Sequence, residues 1–217
     1  MKIILGSASP RRKELLGKLG APFEVITAGV DEDSITVPDP AQNVLARARL
    51  KAAALQSIVP ENAIVITADT TVADGAEMLN KPANEQKAWS MLNQLRGRTH
   101  QVHTGVIIRK ANGVEHEIIN TTDVVMRPYT DQEITDYIAT GDPVDKAGAY
   151  AIQHPAFRPV ERIEGCYTGV MGFPLCDVAE TLQALGAELA IDKNLSKKEA
   201  ADFCLCSRCA KLFSLKS

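Results

Sequence analysis

No run of residues in this sequence is both apolar enough and long enough to cross a membrane, and Met1 leads straight into a strand-like segment rather than a secretion signal. A cytoplasmic protein is the expectation. Excess positive charge is missing too. A net charge of -3 over 217 residues argues against a nucleic-acid coat or a polybasic membrane surface, so neither nucleic acid nor membrane is an expected partner. A secreted disulfide framework is also absent: the five cysteines are an odd count, with Cys204, Cys206 and Cys209 bunched near the end. Three thiolates fall short of the four ligands of a closed zinc site, which favours a reduced tail. His100 and His103 lack the spacing of a helical metal pair. There is no Gly-x-x-x-x-Gly-Lys-[Ser/Thr] loop, no Gly-x-Gly-x-x-Gly behind the first strand and no legible Ser/His/Asp set. P-loop, dinucleotide-binding and triad chemistries are thereby disfavoured. No internal repeat or low-complexity linker divides the chain.

What is present alternates between strand and helix patterns, so the class is α/β. Lys2 to Leu5 reads as a strand, Arg11 to Leu19 as a helix closed by Gly20, and Phe23 to Ile26 as a second strand. Asp39-Pro40 caps a helix from about Ala41 to Ser57. Ala63 to Ala68 is a buried strand, and Pro82 to Leu95 holds a helix with Gly97 past its end. Gln101 to Met126 reads as a hairpin turning at Asn112-Gly113. Thr130-Asp131-Gln132-Glu133 is a capping box for a helix ending near Gly141. Asp142 to Gly172 is loop-rich, and a last core helix runs from Pro174 to about Leu185. One domain over residues 1–190 is expected, followed by a tail over 191–217.

Chemistry concentrates at a few places. In Gly6-Ser7-Ala8-Ser9-Pro10-Arg11-Arg12, Ser9 suits an N-cap and Pro10 the first helical turn. The segment is either an ordinary strand-to-helix turn or a phosphate site made of helix N–H groups, hydroxyls and guanidinium groups. Asp69 follows the apolar run that ends at Ala68, with Thr70 and Thr71 beside it. A carboxylate at a strand end is a candidate metal ligand or general base, against the alternative of a turn aspartate. Lys51 falls on the helical stripe of Val44, Ala48 and Leu55, so it either snorkels out or meets an anion. Arg47 and Arg49 lie off that stripe and are expected in solvent. Lys81-Pro82 can return an ammonium group to the strand ends. Asp31, Glu32 and Asp33 form either a solvated turn or, opposite Asp69, part of a Mg²⁺ or Mn²⁺ site. Asp145-Lys146-Ala147-Gly148-Ala149-Tyr150 joins opposite charges to a glycine and an aromatic, with Gln153 following. Lysines, arginines and carboxylates on strand-end loops suit a polyphosphate with its metal.

Taken in order, Ser7-Ala8-Ser9-Pro10-Arg11-Arg12, Ala68-Asp69-Thr70, Lys81-Pro82, Asp145 to Tyr150 with Ile152-Gln153, and Gly172-Phe173-Pro174-Leu175 resemble the Maf family from Met1 to about Gly186. The resemblance implies a cytoplasmic nucleoside triphosphate pyrophosphatase of a family first associated with inhibition of septum formation. It also implies a central mixed sheet flanked by helices, two lobes with a cleft as in inosine triphosphate pyrophosphatases, a divalent cation and a possible homodimer. Asp69 matches the family's proton acceptor. Ser7, Arg11, Arg12, Glu32, Lys51 and Lys81 match its phosphate-and-metal cleft, with Glu32 and Asp69 on the metal. Arg12, Thr70 and Gln153 match the branch acting on dTTP and UTP. The branch preferring 7-methyl-GTP has Ser-Asp-Gln and Ser-Glu-Gly in the places of Ala68-Asp69-Thr70 and Ile152-Gln153-His154. Two positions depart from the pattern: His154 stands for a usual Gly, and Gly169 for a usual Asn. Rival readings are a pyrophosphatase for modified nucleotides and a nucleotide-binding regulator of cell division with little turnover.

Overall fold

The computed structural model describes residues 2–110, 113–191 and Arg208. Strand β1 (Lys2–Leu5) passes through Gly6 into helix α1 (Pro10–Gly17), and β2 (Phe23–Val25) follows. Ser9 caps α1 through the Arg12 amide. A 3-10 turn over Glu32–Ser34 precedes α2 (Pro40–Leu55), which Asp39 caps by accepting from Gln42 N at 2.8 Å. Then come β3 (Ala63–Asp74), β4 (Glu77–Leu79), α3 (Glu85–Leu95), the hairpin β5 (Thr99–Lys110) and β6 (Glu115–Met126), and α4 (Asp131–Ala139). Both halves of the α4 capping box form, with Thr130 and Glu133 each accepting from the other's amide. Two 3-10 turns, Asp142–Asp145 and Ala147–Ala149, lead to β7 (Val160–Glu164), the short α5 (Tyr167–Val170) and α6 (Leu175–Ala184).

The described strands make one sheet in the order β2-β1-β3-β5-β6-β7, with β4 paired to β3. The pairs around β1 are parallel and the rest antiparallel, so the sheet is mixed, as expected. Successive residues of β3 point to opposite faces. Ile64, Ile66 and Ala68 join a core with Leu15 and Leu16 of α1 and Val178 and Leu182 of α6. Ala63 and Val65 face the other way, packing with Leu55 of α2. Ala48 and Ala52 of α2 meet Ile107 of β5 on that same side. A second core continues from the first along the long strands, where Val72, Val102 and Val124 pack with Leu92, Ile134 and Tyr137. Each fully buried leucine or isoleucine contributes about 1.5–3 kcal/mol. The two cores meet in the middle of β3, around Asp69 and Thr70.

Three boundaries differ from the sequence reading. The strand that begins at Ala63 runs on to Asp74, because antiparallel pairing with β5 holds its polar half, Asp69 opposite Gly105. Asp69 is therefore mid-strand, not at a strand end. The loop-rich stretch contains β7, an edge strand whose charged residues hide its period and suit an edge. The helix expected from Pro82 begins at Glu85, where Asn84 caps it through Lys87 N. Asn112 of the hairpin turn lies outside the described residues, as do Cys204, Cys206 and Cys209. Arg208 pairs with Asp177 and Glu180 of α6. Among the described residues no helix is long and apolar enough to cross a membrane.

Candidate active site

One edge of β3 is left open between two partners: pairing with β1 stops at Ile66, and pairing with β4 starts at Val72. Backbone groups in that gap need other partners. The Ala68 carbonyl accepts from Arg12 Nη1 at 2.8 Å and from Lys51 Nζ at 3.2 Å. The strand's two-residue period then sorts the side chains. Asp69 falls on the α2 face and Thr70 on the α1 face, so each meets a different helix.

On the α2 side, Lys51 Nζ lies 2.7 Å from Asp69 Oδ1 and 2.8 Å from Glu32 Oε2. Of the two outcomes open to an inward lysine, Lys51 meets anions, and those anions are two carboxylates. Asp69 is 11% exposed and Lys51 14%. Burial pushes the Asp69 carboxyl above the usual range, against the downward pull of Lys51 and Arg12. Burial acts upward on Glu32 as well, but the Lys51 hydrogen bond and charge outweigh it and hold Glu32 low. Two neighbouring carboxyls with opposed shifts make an acid–base asymmetry in one cluster.

On the α1 side, Arg12 is almost fully bonded. Nε donates to Gly172 O at 2.9 Å, Nη1 to Ser7 Oγ at 3.2 Å and to Ala68 O, and Nη2 to Thr70 Oγ1 at 3.2 Å. One N–H on Nη2 is left. Thr104 Oγ1 donates to Gly169 O at 2.8 Å, so in the 2.9 Å contact between Thr70 and Thr104 the donor must be Thr70. Thr70 thus accepts from Arg12 and hands its own proton to Thr104. Gly172, with a φ of 94°, closes over this group, and a Cβ there would lie 3.0 Å from Thr70 Oγ1. Ser7 Oγ accepts from Ser9 N at 3.3 Å and from Arg12, which leaves its own O–H uncommitted. The helix N-terminus offers less than its sequence promised: Pro10 has no N–H, Arg12 N bonds Ser9 Oγ, and Lys13 N bonds Ser9 O.

The structure therefore joins Ser7, Arg12, Glu32, Lys51, Asp69 and Thr70 in one network through Ala68. Arg11 is half-buried next to Arg12 without an ion pair among the described residues. Lys81 is exposed just past β4, and its neighbour Asn80 ties the loop to β3 by accepting from Thr71 Oγ1 at 3.2 Å. Gln153 is exposed on a turn and touches none of the network. Lys146 is not a cleft cation: buried, it gives its three N–H groups to Asp142 O, Asp142 Oδ1 and Asp145 Oδ1. His154 turns away from Gln153, with its ring 4.7 Å from that of Tyr137 and Nδ1 accepting from Phe157 N at 2.9 Å. At Gly169 a Cβ would overlap the Asn120 amide, so the departure from Asn is matched by an asparagine from β6. Arg49 is not simply solvated but pairs with Glu115 and Glu117 of β6. Arg47 is largely buried, against the sequence expectation. Thr104 escaped the sequence reading; its place opposite Thr70 in the β3–β5 register was the available signal.

Among the described residues no three His, Cys, Asp or Glu side chains gather as an all-protein metal cage. The description "Maf-like protein" fits residues 2–185 as a family match. A protein of Deinococcus radiodurans named dTTP/UTP pyrophosphatase is 45% identical over 185 residues, spanning 85% of this chain and 93% of that one. One of the same name from Pelotomaculum thermopropionicum is 42% identical, over 85% of this chain and 97% of its own. A solved structure described as a HAM1 protein from Coxiella burnetii shows a loose likeness, with a TM-score of 0.47 at 14% identity over 85% of this chain and 99% of that one. With the family match spanning nearly the whole sheet and its helices, and relatives of this identity alongside it, the chain belongs to the Maf-like proteins.

Proposed function

We propose that this protein hydrolyses dTTP and UTP to the nucleoside monophosphate and pyrophosphate. The observation that carries the reading is the cluster of buried Asp69 with half-buried Lys51 and Glu32 at the open edge of β3, in a chain whose relatives bear that activity in their names. Water attacks the α-phosphorus, a new P–O bond forms, and the bond from the α-phosphorus to the bridging oxygen breaks. The electron pair leaves with pyrophosphate, and the water's proton passes to Asp69. A carboxylate raised by burial is a better base than an ordinary one, which suits Asp69 to that role. In this reading the free O–H of Ser7 and the charges of Arg11 and Lys81, which make no ion pair among the described residues, bind phosphate oxygens. Arg12 acts mainly as an organiser, holding Ser7, Ala68, Thr70 and Gly172 in fixed relation.

The Glu32 and Asp69 carboxylates are hard oxygen donors drawn to one cation, the Lys51 ammonium group, so a divalent ion that took both would displace it. Glu32 and Asp69 would hold Mg²⁺ or Mn²⁺, with phosphate oxygens and water completing the shell. When bound, such an ion supplies Lewis-acid charge to the phosphoryl oxygens.

Gln153 is the candidate reader of the base. An amide donates and accepts at once, which matches the adjacent carbonyl and N–H of uracil and thymine. Cytosine presents an amino group and an unprotonated N3 at the same edge, and a polar pocket matched to one pattern leaves groups unpaired with the other. A single reaction containing UTP, dTTP, CTP, ATP and 7-methyl-GTP with Mg²⁺ tests the reading. UTP and dTTP should disappear first, with pyrophosphate as the product. Earlier loss of a purine overturns the base assignment, and release of orthophosphate instead of pyrophosphate overturns the reaction.

A further inference from the structure

Helix α2 carries a second cation one turn before Lys51, on the same flank. Arg47 lies four residues earlier, and side chains at that spacing share a helix face. Its side chain is only 13% exposed, yet the pairing it finds is poor. Its one ion pair among the described residues is with Asp33 Oδ1 at 3.5 Å, on a side chain that is 93% exposed. Arg47 Nε is buried with no hydrogen-bond partner. The charge of Arg47 also helps hold the Glu32 carboxyl low, which puts it within electrostatic reach of Glu32.

Arg49 makes the contrast. It faces away from the cleft and is well bonded to two glutamates of β6. One arginine of α2 thus fastens the helix to the sheet, while the other is left under-bonded at the cleft. A buried N–H without an acceptor destabilises a fold by about 1–3 kcal/mol. Such a donor is explained where a ligand supplies the missing acceptor. The other buried cations cannot meet a triphosphate alone: Arg12 is nearly saturated by protein oxygens, and Lys51 is shared by two carboxylates and a carbonyl.

We propose that Arg47 is a further substrate-binding residue, whose guanidinium takes oxygens of the departing pyrophosphate. This rests on the pyrophosphatase reading, which names no residue of α2 other than Lys51 and leaves the leaving group's terminal charge without a buried partner. Guanidinium suits the task because its planar fork binds phosphate oxygens in pairs.

The test is product inhibition of UTP hydrolysis by the full chain, with inorganic pyrophosphate and UMP as separate inhibitors. Arg47→Ala should raise the KM for UTP and the pyrophosphate inhibition constant by about tenfold to a hundredfold, as loss of charge-assisted hydrogen bonds would. Inhibition by UMP should stay unchanged, Arg47→Lys should recover part of the loss, and Arg49→Ala should resemble wild type. Unchanged pyrophosphate inhibition, or equal weakening for both products, overturns the assignment. Should Arg47→Ala fail to fold, Arg47→Lys carries the test, since a lysine keeps the charge but not the fork and must still weaken pyrophosphate more than UMP. Calorimetry with inorganic pyrophosphate and Mg²⁺ keeps the two ideas apart. If wild type leaves UTP uncleaved while its pyrophosphate affinity depends on Arg47, the pyrophosphatase reading falls and the site stands. If wild type cleaves UTP and its affinity ignores Arg47, the site falls alone.

Discussion

On one side of Asp69, strands β1, β3 and β5 pack leucine, isoleucine and alanine against α1 and α6; on the other, the same long strands run among Tyr129, Tyr137, Tyr150 and Phe157. The aliphatic half contains almost no polar side chain, and the charges beside it are gathered at its upper end, around the open edge of β3. In the aromatic half, polarity is dispersed through the core and satisfied locally. Tyr129 donates to Leu92 O at 2.7 Å, Tyr137 to Asp142 Oδ2 at 2.6 Å, and Tyr150 meets His100 Nε2 at 2.8 Å. Charges near the first core remain partly unsatisfied and can act on a ligand. The hydroxyls of the second core are used up in holding loops. Chemistry and support are thereby separated along one set of strands, with Asp69 at the join.

That separation predicts opposite outcomes for mutations a few residues apart. Asp69→Asn should lower turnover by about two to four orders of magnitude, read as pyrophosphate release, because the base is gone while the shape is kept. Its stability in urea should hold, since burial disfavours the charged Asp69 in the folded state and Lys51 keeps Glu32. Loss of folding in Asp69→Asn would mean that the join is structural. Phe157→Ala is the converse. Its ring stacks on Tyr137 at 4.4 Å and tilts against Tyr129 at 4.9 Å, so removal should destabilise by about 3–5 kcal/mol. Turnover per folded molecule should change little, as a titration of active molecules against denaturant would show.

The next contrast is in pH. Burial lowers the His100 pKa from 6.5 to about 4, with only a weak opposing pull from Asp74. In that window the unfolded chain binds a proton that the folded chain refuses, so stability is lost as pH falls from about 6.5 toward 4. The loss is at most about 3 kcal/mol. His100→Gln retains a partner for the Tyr150 hydroxyl but does not titrate, and its urea midpoint should vary less over that range. An equal pH slope in both proteins would assign the acid sensitivity to other groups, such as His103, whose pKa burial also lowers.

How much of this was readable beforehand depended on how local each cause is. Ser9, Asp39 and the Thr130–Glu133 box cap their helices through bonds spanning a few residues, and all were legible. Lys51 was legible as an oddity, because a helical stripe is a local pattern. Asp69 was singled out on a wrong premise. Its apolar run ends at Ala68, but the strand continues through pairing with β5, which no run of hydrophobics announces. The β-branched Thr70, Thr71 and Val72 were the available hint. Arg47 was misplaced because the apolar stripe was drawn too narrowly: it lies one turn before Lys51, on the same flank of α2, and its side chain is only 13% exposed. For β7, edge-strand charges masked the alternation that marks a half-buried strand.

The smallest effect asks whether the aromatic half also takes part in recognition. Tyr137 Oη donates to Asp142 and accepts from Ala151 N at 3.0 Å, and Lys146 holds Asp142 in turn at 2.9 Å. Two residues beyond Ala151 stands Gln153, exposed, on a turn closed by the bond from His154 N to Ala151 O at 3.2 Å and flanked by Ile152 and His154, which pack on the second core. Tyr137→Phe keeps the ring stacked on Phe157 and removes only the hydroxyl. The Gln153 turn then loses one tether to the second core, the bond from Ala151 N, while the Asp69 cluster is untouched. Selectivity for UTP over CTP should fall by about tenfold, as loss of one positioned hydrogen bond would give, with kcat for UTP nearly constant. Gln153→Glu should do the same, because a carboxylate cannot donate to the uracil carbonyl. Should Tyr137→Phe lower the melting temperature and leave the UTP-to-CTP ratio at its wild-type value, the second core is scaffold alone. Should both variants relax the ratio together, the base is chosen by a loop whose position is set from the aromatic side, at a distance from the carboxylates that cleave the triphosphate.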